Sequence, residues 1–320
     1  MMLTQIGRLF LLLFLLFSGK SLIAENYDFV VAQDGSGNFT SIQKTIDACK
    51  AFPYARVTIF VKNGIYKEKL QVPSCNTRLS IIGESAEKTI ISFDDYFDKI
   101  SRGRNSTFYT STLLVQASEF ILENITVENS SGPVGQAVAL HVEGDQCVFR
   151  NCRFLGFQDT LYAAGIFSRI FFTNCYIEGT TDFIFGEATA LFEDCTICCK
   201  GDSYITAAST PEGKPFGFVF LNCKLTAVDG VKKVYLGRPW RIYAKAAFLN
   251  CELGSFICPE GWHNWDKPDA EKTTFFAEYK NTGPGALLSK RVSWSHQLTD
   301  ADASAFVPEK ILGDWITKFK

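Results

Sequence analysis

Phe149–Cys152 reads Phe-Arg-Asn-Cys, and this four-residue pattern returns at regular intervals along the chain. The further copies are Phe172–Cys175 (FTNC), Phe192–Cys195 (FEDC), Phe220–Cys223 (FLNC) and Phe248–Cys251 (FLNC), with a weaker copy at Leu122–Ile125 (LENI). The cysteines of the five full copies are separated by 23, 20, 28 and 28 residues. A unit of this length that recurs along a chain indicates a solenoid, in which each repeat packs on its neighbours.

The residues around each copy have the pattern of a strand. The residue after each cysteine is of an outward-facing type and the next one is apolar: Arg153 and Phe154, Tyr176 and Ile177, Thr196 and Ile197, Lys224 and Leu225, Glu252 and Leu253. This period of two is that of a strand with one buried face. The Asn or Asp before each cysteine suits a tight turn, because its short side chain tolerates left-handed backbone angles. We therefore predict an all-β, right-handed parallel β-helix with ladders of Asn and of buried Cys.

The two ends of the repeat region have a different pattern. Ser41–Phe52 (SIQKTIDACKAF) predicts an amphipathic helix with a Ser or Thr cap, suited to covering the first rung of the solenoid. A second short helix is predicted over Thr299–Phe306. No linker is evident, so residues 25–320 are predicted to form one domain.

The first 24 residues predict a secretory signal. Residues 9–17 read LFLLLFLLF, Arg8 precedes them and small residues follow, which favours a leader cleaved after Ala24 over an uncleaved membrane anchor. Cleavage would remove two basic residues and no acid, changing the formal charge from −2 to −4. No long basic run and no later apolar segment of membrane-spanning length occurs. We therefore expect a secreted, extracellular monomer that binds neither nucleic acid nor, once mature, a membrane.

The 11 cysteines are an odd number, so at least one cannot pair within the chain. The ladder cysteines are predicted to be small buried side chains. One or two disulfides remain open among five of the other six cysteines: Cys49, Cys75, Cys198, Cys199 and Cys258. No zinc-type spacing of Cys and His occurs, so no metal is predicted. Glycosylation motifs stand at four positions: Asn38, Asn105, Asn124 and Asn129.

Two carboxylates fall at equal distances from neighbouring ladder cysteines. Asp159 and Asp182 each lie seven residues after a ladder cysteine. Adjacent rungs are about 4.8 Å apart, so the two side chains should lie about 5 Å from each other. Two acids at this distance cannot both ionise freely, and one should keep its proton. The same count from the next cysteine gives Asp202, which is a rival.

An alignment of the strands that follow the ladder cysteines distinguishes Asp202 from the other two acids. The segments that begin at Asp159, Asp182, Ser203 and Val234 match in pattern, which predicts that Ser203 lies above Asp182 and that Asp202 is a turn residue. The alignment also puts Arg238 two rungs beyond Asp182, where a long side chain can favour the ionised acid.

Aromatic and amide side chains surround the predicted acid pair. Tyr162 and Phe185 align on adjacent rungs, and Trp240 follows two residues after the arginine, a combination that suits a sugar-binding groove. Gln158 and Gln136 add uncharged donors that could stabilise an oxyanion. The residues alone thus predict a hydrolase with a carboxylate pair and leave its substrate open.

The chain resembles the pectinesterases (pectin methylesterases) from about Tyr27 to its C-terminus. The resemblance rests on Gly64–Glu68 (GIYKE), Gln136–Leu140 (QAVAL), Gln158–Leu161 (QDTL), Asp182–Gly186 (DFIFG) and Leu236–Trp240 (LGRPW). The sequence looks closer to bacterial and plant-feeding-insect forms than to plant enzymes, and plant members commonly have Arg where this chain has His141.

The resemblance implies a carboxylic ester hydrolase that removes methyl groups from the galacturonate units of pectin and releases methanol. It implies that Asp182 is the nucleophile and that Asp159 is the general acid and base. Gln158 and Gln136 are implied to stabilise the oxyanion, and Arg238 to orient the nucleophile.

The resemblance also implies that Trp240, with Tyr162 and Phe185, contacts the substrate, methylated homogalacturonan. No cofactor or metal is implied. Three alternatives remain: another pectin-degrading β-helix enzyme (a polygalacturonase or pectate lyase), a non-catalytic binding module, and an esterase acting on thioesters or lipids.

Overall fold

The computed structural model describes residues 27–319, so the predicted leader over residues 1–24 lies outside the described residues. Short strands follow one another around a coil and pair in parallel with the strands of the coils before and after, which builds three long sheets. The structure is the predicted parallel β-helix. No helix in residues 27–319 combines the length and the apolar character needed to cross a membrane.

The first sheet has 11 strands and contains the phenylalanines of the repeat. In order along the stack its strands are Phe29–Val31, Val57–Val61, Leu79–Gly83, Ile121–Glu123, Cys147–Arg150, Arg169–Thr173, Thr189–Glu193, Phe218–Leu221, Lys245–Leu249, Phe275–Tyr279 and His296–Gln297.

The second sheet has eight strands, and five of them directly follow the ladder cysteines. Its strands are Gly64–Tyr66, Thr89–Phe93, Thr126–Asn129, Arg153–Leu155, Tyr176–Gly179, Thr196–Cys199, Lys224–Ala227 and Glu252–Leu253.

The third sheet has seven strands and contains the residues of the predicted site. Its strands are Leu70–Val72, Leu113–Val115, Leu140–Val142, Leu161–Ala163, Ile184–Gly186, Tyr204–Ala208 and Tyr235–Pro239.

The helices are short and lie outside the sheets. The α-helices are Ile42–Ala48, Phe97–Ile100, Asp300–Ala303 and Pro308–Leu312. The 3-10 helices are Gly103–Tyr109, Pro268–Lys272, Leu288–Lys290 and Asp314–Phe319.

The repeat forms three ladders inside and along the coil. The phenylalanines that open the copies stack face to face; the rings of Phe220 and Phe248 are 4.2 Å apart and 2° from parallel. The residues before the ladder cysteines all have φ between 52° and 55°: Asn151, Asn174, Asp194, Asn222 and Asn250. The five ladder cysteines are at most 2% exposed. All three features agree with the predicted ladders, because left-handed turns place each following cysteine in the core.

No disulfide joins any of the 11 cysteines, all of which lie within the described part of the chain. Each ladder thiol instead lies close to backbone carbonyl oxygens; the Sγ of Cys175 is 3.4 Å from the carbonyl oxygen of Phe149. Cys198, Cys199 and Cys258 are buried and unpaired. The disulfides left open by the sequence are therefore not formed in this structure.

The capping helix is shorter than predicted. It spans Ile42–Ala48, and Ser41 is its N-cap residue. The Glu68 carboxylate accepts hydrogen bonds from the first backbone N–H groups of the helix and from the Ser41 hydroxyl, which satisfies donors that have no partner within the helix. At the other end, Thr299 and Asp302 form a reciprocal cap on a four-residue helix within the predicted Thr299–Phe306 segment.

Candidate active site

The two predicted acids lie on neighbouring rungs, each just before a strand of the third sheet. Leu161 pairs with Ile184 in the parallel ladder, and the acids stand two residues before these partners. Asp159 has φ 65° and Asp182 has φ 49°, which turns each side chain out of the regular strand direction. Both residues are buried, at 4% and 6% exposure. The equal offset of the two acids from neighbouring ladder cysteines thus produces the pair.

The predicted neighbour of Asp182 on the next rung was wrong by one residue. Ile184 pairs with Thr206, and the Asp182 amide donates to the Tyr204 carbonyl oxygen at 2.9 Å, so Tyr204 and not Ser203 lies above Asp182. Four residues, 200–203, lie between Cys199 and Tyr204, whereas only two, 180–181, lie between their partners Gly179 and Asp182 one rung earlier. A longer turn changes which residue of the next strand pairs with Asp182, although the order of residue types within that strand is unchanged.

The rival acid, Asp202, lies in that turn and is exposed. Its Oδ1 accepts hydrogen bonds from the backbone amides of Lys232 and Lys233 at 2.7 and 2.9 Å, and these bonds lower the pKa of the Asp202 carboxyl. Asp202 therefore tethers the next turn, and the structure agrees with its prediction as a turn residue.

Arg238 makes a two-point contact with Asp182. Its Nε and Nη2 donate to the two carboxylate oxygens at 2.9 and 2.7 Å. The guanidinium carbon also lies 4.0 Å from the ring centre of Tyr204 and 3.6 Å from that of Trp265, which holds the group between two aromatic faces. This geometry fixes both the position and the rotation of the Asp182 carboxylate.

The two carboxyl groups have different electrostatic surroundings. Burial, together with the nearby charge of Asp182, raises the pKa of Asp159 to about 8, against a weaker opposing effect of the Gln136 hydrogen bond. Burial also raises the pKa of Asp182, but the hydrogen bonds and charge of Arg238 oppose that rise. Near neutral pH, Asp159 is therefore protonated and Asp182 is the carboxylate of the pair.

The two glutamines are placed differently around Asp159. The Gln136 amide nitrogen donates to Asp159 Oδ2 at 2.9 Å, and the Thr107 hydroxyl donates to the Gln136 carbonyl oxygen at 2.8 Å. Gln158 pairs with Gln136 through the backbone, and its half-buried side chain has no hydrogen-bond partner within residues 27–319. Thr107 thus sets which end of the Gln136 amide faces the acid.

A pocket of about 530 Å³ opens over the two acids. Its walls include both aspartates, Gln136, Phe185 and Trp240, the glycosylation-motif residue Asn105, and also residues that the sequence patterns did not single out: Arg104, Thr107, Phe108, Ala207, Arg241 and Trp265. The size and the mixture of aromatic and polar walls suit an organic ligand of several rings.

The predicted aromatic residues form one cluster at this pocket. The rings of Tyr162 and Phe185 stack at 4.6 Å, and Trp240 packs at an angle against both. Phe185 and Trp240 line the pocket, whereas Tyr162 packs beneath, with its hydroxyl 3.4 Å from Glu187.

One predicted glycosylation position does not fit the folded chain. Asn129 is 2% exposed, and its amide nitrogen donates to the carbonyl oxygens of Asp95, Thr110 and Val138. A glycan on that nitrogen would need the side chain to leave the core. Asn38 and Asn105 are exposed, and Asn124 is half-buried in the asparagine ladder.

A parallel β-helix with a buried aspartate pair in an aromatic-lined pocket fits the class of hydrolases that act on carbohydrates. The family model for pectinesterase matches residues 28–314. The chain belongs to the pectinesterase family.

Similarity to curated proteins supports this membership. Pectinesterase 31 of Arabidopsis thaliana is 40% identical over 285 residues, a match that covers 87% of this chain and 89% of that protein. A probable pectinesterase/pectinesterase inhibitor of the same plant is 39% identical and is longer, so that this chain spans 45% of it.

Solved structures agree in fold. Pectin methylesterase from carrot superposes with a TM-score of 0.87 at 31% identity and covers 93% of this chain and 97% of its own. The Erwinia chrysanthemi enzyme gives a TM-score of 0.80 at 30% identity, covering 91% and 98%. The sequence led us to expect a closer likeness to bacterial and insect forms than to plant enzymes. The identities do not support that expectation, because the plant proteins are at least as similar to this chain as the bacterial enzyme is.

Proposed function

We propose that this chain hydrolyses the methyl esters of galacturonate units in pectin, with Asp182 as nucleophile and Asp159 as general acid and base. The observation that carries this assignment is the two-point contact of Arg238 with one acid of the pair only. That contact favours the carboxylate form of Asp182 and presents it to the pocket, while Asp159 holds a proton.

In the first half of the reaction, an oxygen of the Asp182 carboxylate attacks the ester carbonyl carbon and forms a tetrahedral oxyanion. The amide groups of Gln158 and Gln136 donate to that oxyanion without neutralising either acid. The intermediate collapses, the bond to the methoxy oxygen breaks, and Asp159 gives its proton to the departing methanol. An anhydride between Asp182 and the galacturonate carbonyl remains.

In the second half, the Asp159 carboxylate accepts a proton from water as the water oxygen attacks the anhydride carbonyl carbon. Collapse of this second oxyanion releases the galacturonate carboxyl group and restores the Asp182 carboxylate. The proton on Asp159 then serves the next turnover. Arg238 keeps the nucleophile in one orientation through both halves.

The aromatic wall supports a sugar polymer as substrate. Phe185, Trp240, Phe108 and Trp265 present ring faces or edges to the pocket, and such surfaces suit the C–H faces of pyranose rings. A pectin methylesterase that is 29% identical to this chain has been solved in complex with a hexasaccharide. We assign methylated homogalacturonan as the substrate on this basis.

The test is to incubate the purified protein with methylated pectin and to measure methanol and polymer length together. Methanol release at unchanged polymer length supports the esterase. Chain cleavage without methanol would instead indicate a polygalacturonase or a lyase, and binding with neither change would indicate a non-catalytic module.

We further propose that residues 1–24 direct secretion and that the mature enzyme acts outside the cell as a monomer. The apolar run at residues 9–17 and the small residues after it support this proposal. Expression of the full sequence in a secreting host should give extracellular protein that begins at Glu25. Protein retained with its first 24 residues would contradict the proposed processing. The exposed motifs at Asn38 and Asn105, and that at Asn124, remain the proposed glycan positions.

A further inference from the structure

A segment that lies beside the last strand of the third sheet carries Trp265 to Arg238. Trp262 pairs with Gly237 in an isolated parallel bridge, which places the segment next to the strand that contains the arginine. The chain then turns sharply, because Trp265 and Asp266 both have left-handed backbone angles, with φ 56° and 54°. A bulky residue adopts such an angle at a cost in free energy, so surrounding contacts must hold the turn.

Two neighbouring side chains shape this turn. The Trp265 amide donates to Nδ1 of His263 at 2.9 Å. The Asp266 amide donates to Oδ1 of Asn264, also at 2.9 Å. Each of these hydrogen bonds spans two residues of the chain, so it stabilises the local conformation of the turn.

Lys267 joins the turn to the strand that contains Arg238. Its ammonium donates to the carbonyl oxygens of Pro239 and Trp240, at 2.9 and 3.1 Å. These acceptors belong to the two residues that follow Arg238 in the chain. The same ammonium nitrogen lies 4.4 Å from the ring centre of Trp265. Lys267 therefore contacts both the end of the strand and the ring that covers the arginine.

Tyr204, Arg238, Trp265 and Lys267 form one cluster of two rings and two cations. The Arg238 guanidinium lies between the rings of Tyr204 and Trp265, and Lys267 approaches the Trp265 ring as well. Attraction between a cation and an aromatic ring is stronger where water is partly excluded, and the Arg238 side chain is only 17% exposed. Loss of the lysine would loosen the Trp265 ring and uncover one face of the guanidinium.

We propose that Lys267 is a positioning residue for the reaction, because it holds Trp265 against Arg238. With Trp265 in place, the guanidinium keeps its two-point contact with Asp182. This inference rests on the proposed function, which makes Asp182 the nucleophile. Among residues 27–319 no carboxylate forms an ion pair with the Lys267 ammonium, so the lysine acts on the nucleophile through its neighbours and through its charge.

The charge of Lys267 acts in the same direction as its contacts. Burial raises the pKa of Asp182; the hydrogen bonds and charge of Arg238 oppose this rise, and so does the charge of Lys267. Burial and the charges of Arg241 and Arg238 lower the pKa of Lys267, and Asp182 opposes that change. The charged groups around the nucleophile are Asp159, Arg238, Lys267, Arg104 and Arg241. Removing the ammonium should therefore favour the protonated form of Asp182.

The test compares methanol release by Lys267→Met and wild type over a full pH range. Methionine keeps an unbranched apolar side chain but lacks the ammonium. We expect kcat/KM at neutral pH to fall about three- to tenfold and its acidic limb to move to higher pH. Lys267→Arg retains the charge and the donors, and should restore both to within about twofold of wild type. A lower rate with an unmoved acidic limb, or no change in either, would overturn the inference.

Lys272→Met is the matched control, because it makes the same chemical change at the end of the 3-10 helix Pro268–Lys272. The Lys272 ammonium pairs with the exposed Asp269 carboxylate, outside the cluster. This variant should leave both the rate and the acidic limb unchanged. An equal loss in Lys267→Met and Lys272→Met would contradict the positioning role.

Chemical labelling of Arg238 separates this inference from the esterase proposal, because it needs no turnover. Phenylglyoxal modifies guanidinium groups, and peptide mapping by mass spectrometry follows each arginine separately. Arg238 should be modified at least about threefold faster in Lys267→Met than in wild type, since one aromatic cover is loosened. Arg153, which lines a different groove, should be modified at the same rate in both. Equal rates at Arg238 contradict the positioning role, whether or not wild type releases methanol.

Discussion

Arg238 and Asp182 lie on strands two rungs apart, yet the arginine meets both carboxylate oxygens, at 2.9 and 2.7 Å. Only one strand, Tyr204–Ala208, separates them in the sheet, and the long side chain crosses it above Tyr204. The contact makes the two buried aspartates unequal, because the Asp159 carboxyl has no cation within hydrogen-bonding distance in residues 27–319. This difference in electrostatic surroundings lets one acid attack as a carboxylate while the other, still protonated, delivers a proton.

Removing the guanidinium should disable the nucleophile and change its titration. Arg238→Ala takes away the hydrogen bonds and charge that oppose the burial effect, so the pKa of Asp182 should rise further. We expect kcat/KM to fall about a hundredfold and its acidic limb to move to higher pH, because the reactive form is the carboxylate. Full pH profiles of the variant and wild type would measure both effects. An acidic limb that stays in place would contradict this role.

Activity should fall on the basic side as Asp159 loses its proton. The pKa of this carboxyl is raised to about 8, so the acid required for methanol departure is present below that pH and is lost above it. We expect the basic limb of kcat/KM near pH 8. Asp159→Asn should lower kcat for methyl esters by about a thousandfold. A basic limb that persists unchanged in the residual activity of this variant would assign it to another group.

The same buried acid should reduce stability at neutral and basic pH. The folded pKa of Asp159 is raised above its unfolded value, so between these two values the folded protein holds a proton that the unfolded chain releases, and stability falls as pH rises. Asp159→Asn removes this dependence. The variant should gain about 1–3 kcal/mol relative to wild type at pH 8 and little at pH 4, measured by urea unfolding. An equal difference at the two pH values would argue against a shifted Asp159.

Asn129 should contribute to stability through its side chain. Its amide nitrogen donates to three buried backbone carbonyl groups, and Asn129→Ala would leave them without that donor. We expect a loss of about 2–4 kcal/mol in unfolding free energy for protein made in a host that adds no glycans. Asn105→Ala, at an exposed position of another glycosylation motif, should change stability by less than about 0.5 kcal/mol. Similar effects of the two variants would refute the buried role of Asn129.

The fold could be predicted because each repeat carries its own turn residue and core residue. Phe149, Asn151 and Cys152 each join a ladder, and the turn from the first sheet to the second has the same form in all five copies of the repeat. The proximity of Asp159 and Asp182 followed from the same regularity. Where the turn length changes, at residues 200–203, the regularity no longer fixes the register, and the prediction for Ser203 was wrong.

The remaining site residues could not be predicted from the repeat. Thr107 contacts Gln136, and Trp265 contacts Arg238, from segments outside the third sheet, and the path of such a loop is not set by the ladder spacing. For Trp265 the sequence did contain a signal. Two tryptophans, Trp262 and Trp265, stand three residues apart after the last full repeat, and such a pair could have been considered as part of an aromatic binding surface.

Methanol release by Asp182→Asn tests the central claim most directly. Asp202→Asn is the matched control, because it makes the same chemical change at the acid that an equal count along the repeat also selects. The account predicts that Asp182→Asn remains folded but releases methanol from methylated pectin at least about a thousandfold more slowly than wild type, while Asp202→Asn keeps its rate within about twofold. Retained methanol release by Asp182→Asn would contradict the account.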